Sequence, residues 1–283
     1  MPIAIFRRSR NRIALIKIEG VISDSDSYGI DRATIVEALK EAQRRKARGI
    51  VLRVNSPGGT VAACQDIFAA VERVKEKSIP VVASMGDMAA SGGVYVSMAA
   101  TEIVASPGTI TGSIGVIIKG NDLSALYDKV GVSPKVVKSG AHKDMMATYR
   151  PLSSEEQALL QGVIDDSHDQ FVERVAASRK RPRSEIERIA DGRILTGRQA
   201  HASGLIDSLG DLEAAVERAA QLAGVKEKPR LIEIRGHRSL RQRLLRPFFG
   251  MSRFGLHSLV SSSSSIEYAA PPFPIPMWIM PGF

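Results

Sequence analysis

The sequence predicts an α/β protein in which a largely parallel sheet is flanked by helices. Short apolar runs rich in Val and Ile alternate with longer segments in which apolar residues recur at helical spacing. Glycine-rich turns separate several of these segments. Strands that alternate with helices of this length are joined by right-handed crossovers, which make the strands parallel and cover both faces of the sheet.

The first half of the chain shows this alternation clearly. A β-branched apolar run at 13–22 predicts the first buried strand, and the segment 31–49 predicts a helix that ends at Gly49, a usual stop signal. The further elements follow in chain order: a strand with a glycine-rich turn at 49–59, a helix at 60–77, a strand at 79–86, a helix that begins near Ser91, a strand at 102–106, a strand at 111–120 after a turn, and a helix at 122–131.

The second half is predicted to be mostly helical. Ser153, followed by Glu155 and Glu156, is a plausible start signal for the helical pattern at 153–190. The last predicted elements are two shorter helices within 192–224 and a closing strand at 229–236.

Composition divides the chain into a folded domain and a tail. We expect one domain over 1–235, with its core at 13–235, and a basic tail over 236–283 that is rich in serine and proline. A serine run followed by a proline-rich stretch is typical of an extended segment, so we expect the tail to be extended.

The net charge of +9 is concentrated toward the C-terminal end of the sequence. Seven arginines stand against two acids between 230 and 283, so about five of the nine charges lie there. Aromatic residues are not interleaved with the basic ones elsewhere, so nucleic acid is not predicted as a partner. The basic, apolar stretch 238–260 allows peripheral contact with an anionic membrane surface, and a solvated tail that closes an oligomer contact is equally open.

The remaining composition excludes several classes of protein. One cysteine, Cys64, rules out an intramolecular disulfide and leaves no zinc cluster, so we predict neither a metal nor a cofactor. Cys64 lies on the apolar stripe of a predicted helix, which favours a buried inert thiol over a thiol protease. The sequence lacks the roughly 18–20 apolar residues that a spanning helix needs, and arginines occupy the place of a signal-peptide core. We therefore expect a cytoplasmic protein.

Ser91 is the strongest candidate nucleophile. It lies in MAASGGVY, between a predicted strand and a predicted apolar helix, where its hydroxyl is exposed to a substrate and the N–H of Gly92 points at an anionic oxygen. Small neighbours permit close approach of a substrate backbone. The alternative is an ordinary serine N-cap followed by flexible glycines, which is the more common role of such a serine.

A nucleophilic serine needs a base, and the residues leave more than one open. The G-x-S-x-G elbow of the α/β-hydrolases is absent, because Ala89 lies two positions before Ser91. His142 is the one histidine beside other candidate residues, so a Ser-His-Asp triad has no support but stays open. A desolvated lysine is also a competent base, because burial disfavours the ammonium form. The context SGAHKDMM allows partial burial of Lys143, although a solvated surface lysine is the alternative at any position.

Five motifs together resemble the signal peptide peptidase A family, in the family's order, between about Ile13 and Ile234. They are NSPGG at 55–59, MAASGGVYVSMAA at 88–100, TGSIGVI at 111–117, KSGAHKDMM at 138–146 and GRILTGRQAHASGLIDSLG at 192–210. The resemblance implies the Clp-protease/crotonase-like fold of repeated ββα units and cleavage of peptides by a Ser-Lys dyad, without a cofactor.

The resemblance assigns roles to individual residues. Ser91 matches the nucleophile, and Lys143, 52 positions later, matches the base, with Lys138 as the less favoured candidate. Ser113 matches a serine whose hydroxyl orients the lysine. The glycines that match the oxyanion-hole turns are Gly58 or Gly59, and Gly92. The residues expected to pair with an extended substrate as added strands are Asn55, Ser56, Pro57, Ile114, Gly115 and Val116.

The resemblance also implies partners. The substrates are expected to be signal peptides or other apolar fragments, and family members assemble into ring-shaped or dome-shaped oligomers, so we expect a homo-oligomer. Family members usually carry an N-terminal membrane anchor, which is not visible in this sequence.

Three other functions stay open. An acyl-CoA-handling crotonase relative would need catalytic carboxylates near the glycine-rich turns. A protease that acts with stomatin-type membrane proteins has a shorter spacing between its serine and its lysine. A non-catalytic scaffold would keep the fold without the dyad.

Overall fold

The computed structural model describes residues 11–25, 29–236 and 277–279. Its strands are β1 (Arg12–Glu19), β2 (Val21–Ser23), β3 (Gly29–Asp31), β4 (Gly49–Ser56), β5 (Gly58–Thr60), β6 (Val81–Ala89), β7 (Glu102–Ala105), β8 (Ile110–Gly112), β9 (Ile194–Thr196), β10 (Ser208–Leu209), β11 (Arg230–Glu233) and β12 (Met277–Ile279). Its helices are α1 (Arg32–Arg44), α2 (Val61–Lys75), α3 (Gly92–Ser97), α4 (Ser124–Lys129), α5 (Ser154–Arg179), α6 (Arg183–Glu187), α7 (Gly197–Ala202) and α8 (Leu212–Leu222).

The main sheet is built from parallel strands, as predicted. Its order within the described residues is β10-β7-β6-β4-β1-β11, and each neighbouring pair along this path is parallel. The short strand β8 pairs parallel with the end of β6 and antiparallel with β9. The mixed α/β class with a largely parallel sheet is therefore confirmed.

Two apolar layers cover the two faces of this sheet, because successive side chains of a strand point to opposite faces. Along β1, Ile13 and Leu15 pack toward α8, whereas Ile16 and Ile18 pack toward α1 and α2. All four side chains are buried. A strand that is buried on both faces reads as a continuous apolar run, which is the pattern the sequence shows at 13–18.

A second, smaller sheet lies at the carboxyl ends of the main strands. Its order is β12-β5-β2-β3, in which β2 pairs parallel with both β5 and β3. The short C-terminal strand β12 lies antiparallel on the free edge of β5, with Ile279 opposite Gly58 and Met277 opposite Thr60. This sheet places Gly58 and Gly59 beside the start of α3.

The structure corrects three predicted boundaries. The run at 13–22 is two strands, because Gly20 has a φ of +82° and breaks the pairing. Helix α1 ends at Arg44, and Gly49 is the first residue of β4 rather than a helix stop. The predicted strand at 111–120 ends at Gly112, since Gly112 and Ser113 both have positive φ angles, +75° and +51°.

The predicted tail falls almost entirely outside the described residues. Of the segment 236–283, only Gly236 and the strand β12 are described, so the predicted extended conformation and the stretch 238–260 are not tested. Among the helices that are described, none combines the length and the apolar composition needed to cross a membrane.

Candidate active site

Ser91 occupies a strained turn between β6 and α3. The N–H of Gly93 donates to the carbonyl of Ala90 at 2.8 Å, which closes a β-turn with Ser91 at its second position. The φ and ψ of Ser91 are +51° and −114°, the values of that position in a type II′ turn, where glycine is strongly preferred. A non-glycine residue held in such a conformation is a recognised sign of a functional site.

The hydroxyl of Ser91 does not cap the helix. Ser91 is the N-cap of α3, yet its side chain accepts no hydrogen bond from the first turn, so the ordinary capping role considered above is excluded. The side chain is fully buried in the single chain, so the expected exposure of the hydroxyl to a substrate is not found. Within the described residues, the hydrogen bond of Oγ runs to the carbonyl of Gly115 at 3.5 Å. That distance is too long for a good O–H···O bond, so the hydroxyl has no strong internal partner.

The turn is fixed by the elements around it. The N–H of Ser91 donates to the carbonyl of Gly112 at 2.8 Å, and the N–H of Ala90 donates to the carbonyl of Ser56 at 3.0 Å. A Cβ on Gly93 would stand 2.9 Å from the Ser56 carbonyl, so only glycine allows this approach. The ends of β4 and β8 therefore hold Ser91 from two sides.

Helix α3 is packed against α2 and α5 through an aromatic cluster. Tyr95, one turn after Ser91, lies with its ring centroid 5.3 Å from that of Phe171 on α5, in an edge-to-face arrangement. The ring of Phe68 on α2 lies 5.3 Å from Tyr95 on its other side. Such pairs add to the stability gained from burial alone, so the helix that carries Ser91 is rigidly seated.

The three glycines predicted for an oxyanion hole lie on elements that meet at Ser91. Gly92 is the first residue of α3, where a backbone N–H has no partner within the helix. The N–H of Gly58, whose φ is +117°, donates to the hydroxyl of Ser56 at 3.1 Å. Gly59 lies so close to β2 that a Cβ there would overlap the carbonyl of Ile22.

Asn55 and Ser56 hold the end of β4 in place. The Asn55 amide oxygen accepts from the N–H of Met88 at 3.1 Å, and its backbone carbonyl accepts from the N–H of Gly20 at 3.0 Å. The Ser56 hydroxyl bonds to both the N–H and the carbonyl of Gly58. These two residues are thus engaged within the chain, and Pro57 follows them as the buried link from β4 to β5.

Ser113 and the segment after it lie beside Ser91. Ser113 has a φ of +51° and is buried, and its N–H donates to the carbonyl of Arg193 at 2.7 Å. Within the described ranges its hydroxyl makes no hydrogen bond. Ile114, Gly115 and Val116 continue outside any strand, and with His168 of α5 they line a groove of about 370 Å³.

Lys143 is the predicted site residue that the structure does not join to the others. It lies in a series of turns at 141–146 and is exposed, so the expected partial burial is absent in the single chain. The physical reason is that the segment from 119 to 143 is mostly exposed and packs little against the sheet. Among the described residues, Lys143 forms no ion pair, whereas the amine of Lys138 bonds to Asp144 and to the carbonyl of Ala141.

The described residues offer little support for a thiol nucleophile, a histidine base or a metal site. Cys64 is fully buried, and burial raises the pKa of its thiol, which opposes formation of the reactive thiolate. His142 lies 3.6 Å from Glu155 in an exposed pair and does not contact Ser91. In the part of the chain that the structure describes, no cluster of three His, Cys, Asp or Glu side chains is placed to hold a metal.

Sequence reasoning missed a polar network next to Lys143. The carboxylate of Asp144 accepts from Lys138, Tyr149 and Arg150, and Arg150 continues to Glu156. An acid directly after the candidate lysine was the visible signal, but its partners, six residues before it and five and six residues after it, are set by turns that no periodicity reveals.

Comparisons with known proteins agree with the fold and with the predicted resemblance. The model of peptidase family S49 matches residues 73–226, more than half of the chain, and that of Clp protease matches residues 16–109. A Synechocystis sp. protein named as a protease is 47% identical over 217 residues, covering 77% of this chain and 76% of that protein.

Two further similarities extend this comparison. An Enterococcus faecium protein named as signal peptide peptidase SppA is 37% identical over 216 residues, covering 74% of this chain and 63% of that protein, so this chain spans less than two thirds of it. A solved structure of the 1510-N membrane-bound stomatin-specific protease, in a serine-to-alanine mutant form, matches with a TM-score of 0.52 and 16% identity, covering 80% of this chain and 98% of that one. At this identity the likeness shows a shared fold alone.

The predicted kinship with the signal peptide peptidase A family is thereby confirmed. The S49 match begins within α2 and ends just after α8, and so includes Ser91, Ser113 and Lys143. This chain belongs to peptidase family S49 and is a serine peptidase.

Proposed function

We propose that the chain is an endopeptidase in which Ser91 is the nucleophile and Lys143 the general base, acting on signal peptides or other apolar peptide fragments. One observation carries this proposal: a fully buried serine is held at a glycine-type turn position while its hydroxyl caps nothing. Strain of this kind persists only where the surrounding structure enforces it. We expect this strained turn to fix the nucleophile at the end of β6.

The proposed reaction uses groups of the protein alone. The neutral amine of Lys143 removes the proton of the Ser91 hydroxyl, and Oγ attacks the substrate carbonyl carbon. The N–H of Gly92, together with an N–H from the turn at Gly58 and Gly59, stabilises the negative oxygen that develops. The protonated lysine then gives its proton to the leaving amine, and water, deprotonated by the same lysine, hydrolyses the acyl-enzyme.

Since Lys143 is exposed in the single chain, we propose that assembly of several chains brings its amine to a Ser91 hydroxyl. Assembly is supported by the exposed apolar side chains of the same segment, among them Leu126, Val130 and Val137. Exposed apolar surface of this kind marks a surface that another protein covers. We therefore propose a homo-oligomer in which the amine of Lys143 is desolvated against the Ser91 hydroxyl and oriented by Ser113. Lys138 is less suited to this role, because its amine is already bound to Asp144.

The substrate is proposed to bind as an added strand between β5 and the segment 114–116. The edge of β5 is suited to this, since β12 of the same chain pairs with it in antiparallel register. The groove of about 370 Å³ beside Gly115 and Val116 would take a substrate side chain.

Residues 277–283 should then compete with the peptide, and their removal is expected to lower the KM for peptide cleavage without raising kcat. A KM that stays unchanged or rises in the truncated chain would contradict this binding mode.

One relative's name supports the proposed substrate class, and the charge of the tail supports the proposed location. The Enterococcus relative is named a signal peptide peptidase, and on that basis we propose signal peptides and apolar fragments as substrates. We also propose peripheral contact of the basic tail with an anionic membrane surface, on its charge alone. The stomatin-directed alternative has only the shared fold in its support.

Two substitutions test the dyad. Ser91→Ala and Lys143→Ala are each expected to abolish cleavage of an apolar peptide by the purified full chain, while far-UV circular dichroism and the unfolding temperature stay close to those of the wild type. Lys226→Ala serves as a matched control, because Lys226 is an exposed lysine after α8 and lies outside the segment proposed for assembly. Wild-type turnover by either site variant would refute the mechanism.

A further inference from the structure

The turn that carries Lys143 is held internally by short-range bonds only. The N–H of Lys143 donates to the carbonyl of Gly140 at 3.3 Å, and the N–H of Met145 donates to that of His142 at 3.1 Å. Such bonds define the shape of a turn but not its orientation relative to the rest of the protein. A general base has to be held within about 0.5 Å of its working position, so a longer-range anchor is needed.

Asp144, the next residue, supplies this anchor. Its Oδ1 accepts from Lys138 Nζ at 2.7 Å and from Arg150 at 2.7 Å, and its Oδ2 accepts from the hydroxyl of Tyr149 at 2.8 Å. Its side chain is only 12% exposed, although the three residues before it, at 141–143, are exposed. Arg150, Lys138 and Tyr149 together hold the pKa of this carboxyl well below its ordinary value.

Arg150 connects Asp144 to the first turn of α5. Its guanidinium donates to both oxygens of Glu156, at 2.8 and 2.6 Å, while it also binds Asp144. Glu156 is 4% exposed and is itself fixed by a capping box, in which its carboxylate accepts from the N–H of Ser153 and its own N–H donates to the Ser153 hydroxyl. Bidentate arginine–carboxylate pairs define orientation as well as distance.

Helix α5 connects this anchor to the core of the chain. Phe171, on the same helix, is buried against Tyr95 of α3, one turn after Ser91. Glu156 and Phe171 are 15 residues apart, which is roughly 22 Å along a continuous helix at 1.5 Å per residue. The turn of Lys143 is thereby tied to a helix whose Phe171 is buried in the core of the same chain.

We propose that Asp144 is a positioning residue for peptide cleavage: through Arg150 and Glu156 it fixes the turn of Lys143 to helix α5. This inference rests on the proposed role of Lys143 as the base. Asp144 does not contact the substrate path along β5 and 114–116, so it acts on the placement of the amine and not on peptide binding.

A second ion pair at the same turn is too weak for this role. His142 lies 3.6 Å from Glu155, but their side chains are 40% and 76% exposed. Exposed pairs of this kind contribute little to stability or orientation. The chain of bonds from Asp144 through Arg150 to Glu156, whose two carboxylates are only 12% and 4% exposed, is therefore the anchor that matters.

The test compares Asp144→Asn with the wild-type full chain in peptide cleavage. Asparagine keeps the shape of the side chain but loses its negative charge and one of its two acceptor oxygens, so the ion pairs with Arg150 and Lys138 are lost. We expect kcat to fall by roughly 10- to 100-fold with KM within about twofold, because displacement of a catalytic group by about 1 Å costs that much. Added to Lys143→Ala, the same substitution should lower the residual rate no further, since the group it positions is already gone.

Asp207→Asn is the matched control. Asp207 also holds an arginine through two bonds, from Arg179 at 2.6 and 3.0 Å. Among the hydrogen bonds and ion pairs of the described residues, none joins Asp207 to Ser91 or to Lys143. Asp207→Asn is expected to lower the unfolding temperature while kcat stays within about twofold. Equal kcat losses in Asp144→Asn and Asp207→Asn would overturn the positioning role, and so would a wild-type kcat in Asp144→Asn.

A second variant keeps the inference testable if Asp144→Asn does not fold. Arg150→Lys retains the positive charge but cannot bind both carboxylates as a fork, so it should show the same loss of kcat at unchanged KM. A wild-type kcat would count against the anchor.

Failure of the base assignment itself has a different signature, because Lys143→Ala would then keep its activity. That result would overturn both proposals, whereas an inactive Lys143→Ala beside a fully active Asp144→Asn overturns only this one.

Discussion

The strained turn at Ser91 makes a stability prediction that is independent of activity. We compare alanine with glycine at two buried serines: Ser91, which precedes α3 and has a φ of +51°, and Ser97, the last residue of α3. At Ser97, changing alanine to glycine should cost about 1 kcal/mol in helix propensity and about 0.8 kcal/mol for the lost buried methyl group. The sum is close to 2 kcal/mol, and the lost bond from the Ser97 hydroxyl to the Gly93 carbonyl is common to both variants.

At Ser91 the same change relieves strain. Glycine loses roughly 0.7 kcal/mol in unfolded-state entropy and about 0.8 kcal/mol for the methyl group, but it removes about 2 kcal/mol of backbone strain. Ser91→Gly should therefore be as stable as Ser91→Ala or slightly more stable. The two alanine-to-glycine steps are expected to differ by about 2 kcal/mol, which corresponds to about 4–8 °C in unfolding temperature for a domain of this size.

Calorimetry or guanidinium unfolding of the four variants, at one protein concentration, measures this difference. Both variants at position 91 should also lack peptide cleavage, since neither carries a hydroxyl. An alanine-to-glycine step that destabilises the protein equally at positions 91 and 97 would show that the turn holds no strain that glycine relieves.

Three further predictions concern packing, the thiol and pH. Gly59→Ala should lower the free energy of unfolding by roughly 1–3 kcal/mol, because the new Cβ would overlap the carbonyl of Ile22; an unchanged denaturation midpoint would show that β5 shifts freely. Cys64 should not react with a thiol reagent in the native protein, and Cys64→Ala should keep wild-type cleavage, since the thiol is buried and its pKa raised; loss of cleavage would reopen a thiol mechanism. Arg150 lowers the pKa of Glu156 to about 2 from an ordinary 4.5, so its charge stabilises the fold above about pH 4.5 and this contribution is lost as the pH falls toward 2. The stability difference between wild type and Glu156→Gln should therefore shrink over that interval, and a constant difference would contradict it.

The sequence predicted the layered fold because its signals are local and repeated. The apolar run at 13–18 is buried on both faces of a parallel sheet, and such burial leaves a continuous pattern that can be read directly. Ser153 marks the start of α5 because a capping box is a contact within four residues. The five ordered motifs likewise identified the family and pointed to Ser91 as the nucleophile.

Other features follow from contacts between distant parts of the chain. The backbone conformation of Ser91 is imposed by bonds to Gly112 and by the neighbouring β4, and a serine in MAASGGVY would otherwise be an ordinary cap. The internal bonds of Asn55, which belongs to a motif assigned to substrate binding, also became visible only in the fold. The pairing of β12 with β5 joins segments more than 200 residues apart, for which the sequence contains no periodic signal.

The amino-acid sequence by itself determined the alternation of strands and helices, the family and the identity of the candidate dyad. Only the tertiary structure decided that Ser91 is buried and strained, that Lys143 is exposed in the single chain, and that Asp144 ties its turn to α5. The division has a physical reason: burial patterns, caps and motifs are encoded in near neighbours, whereas strain, exposure and long-range ion pairs depend on which surfaces meet when the chain folds.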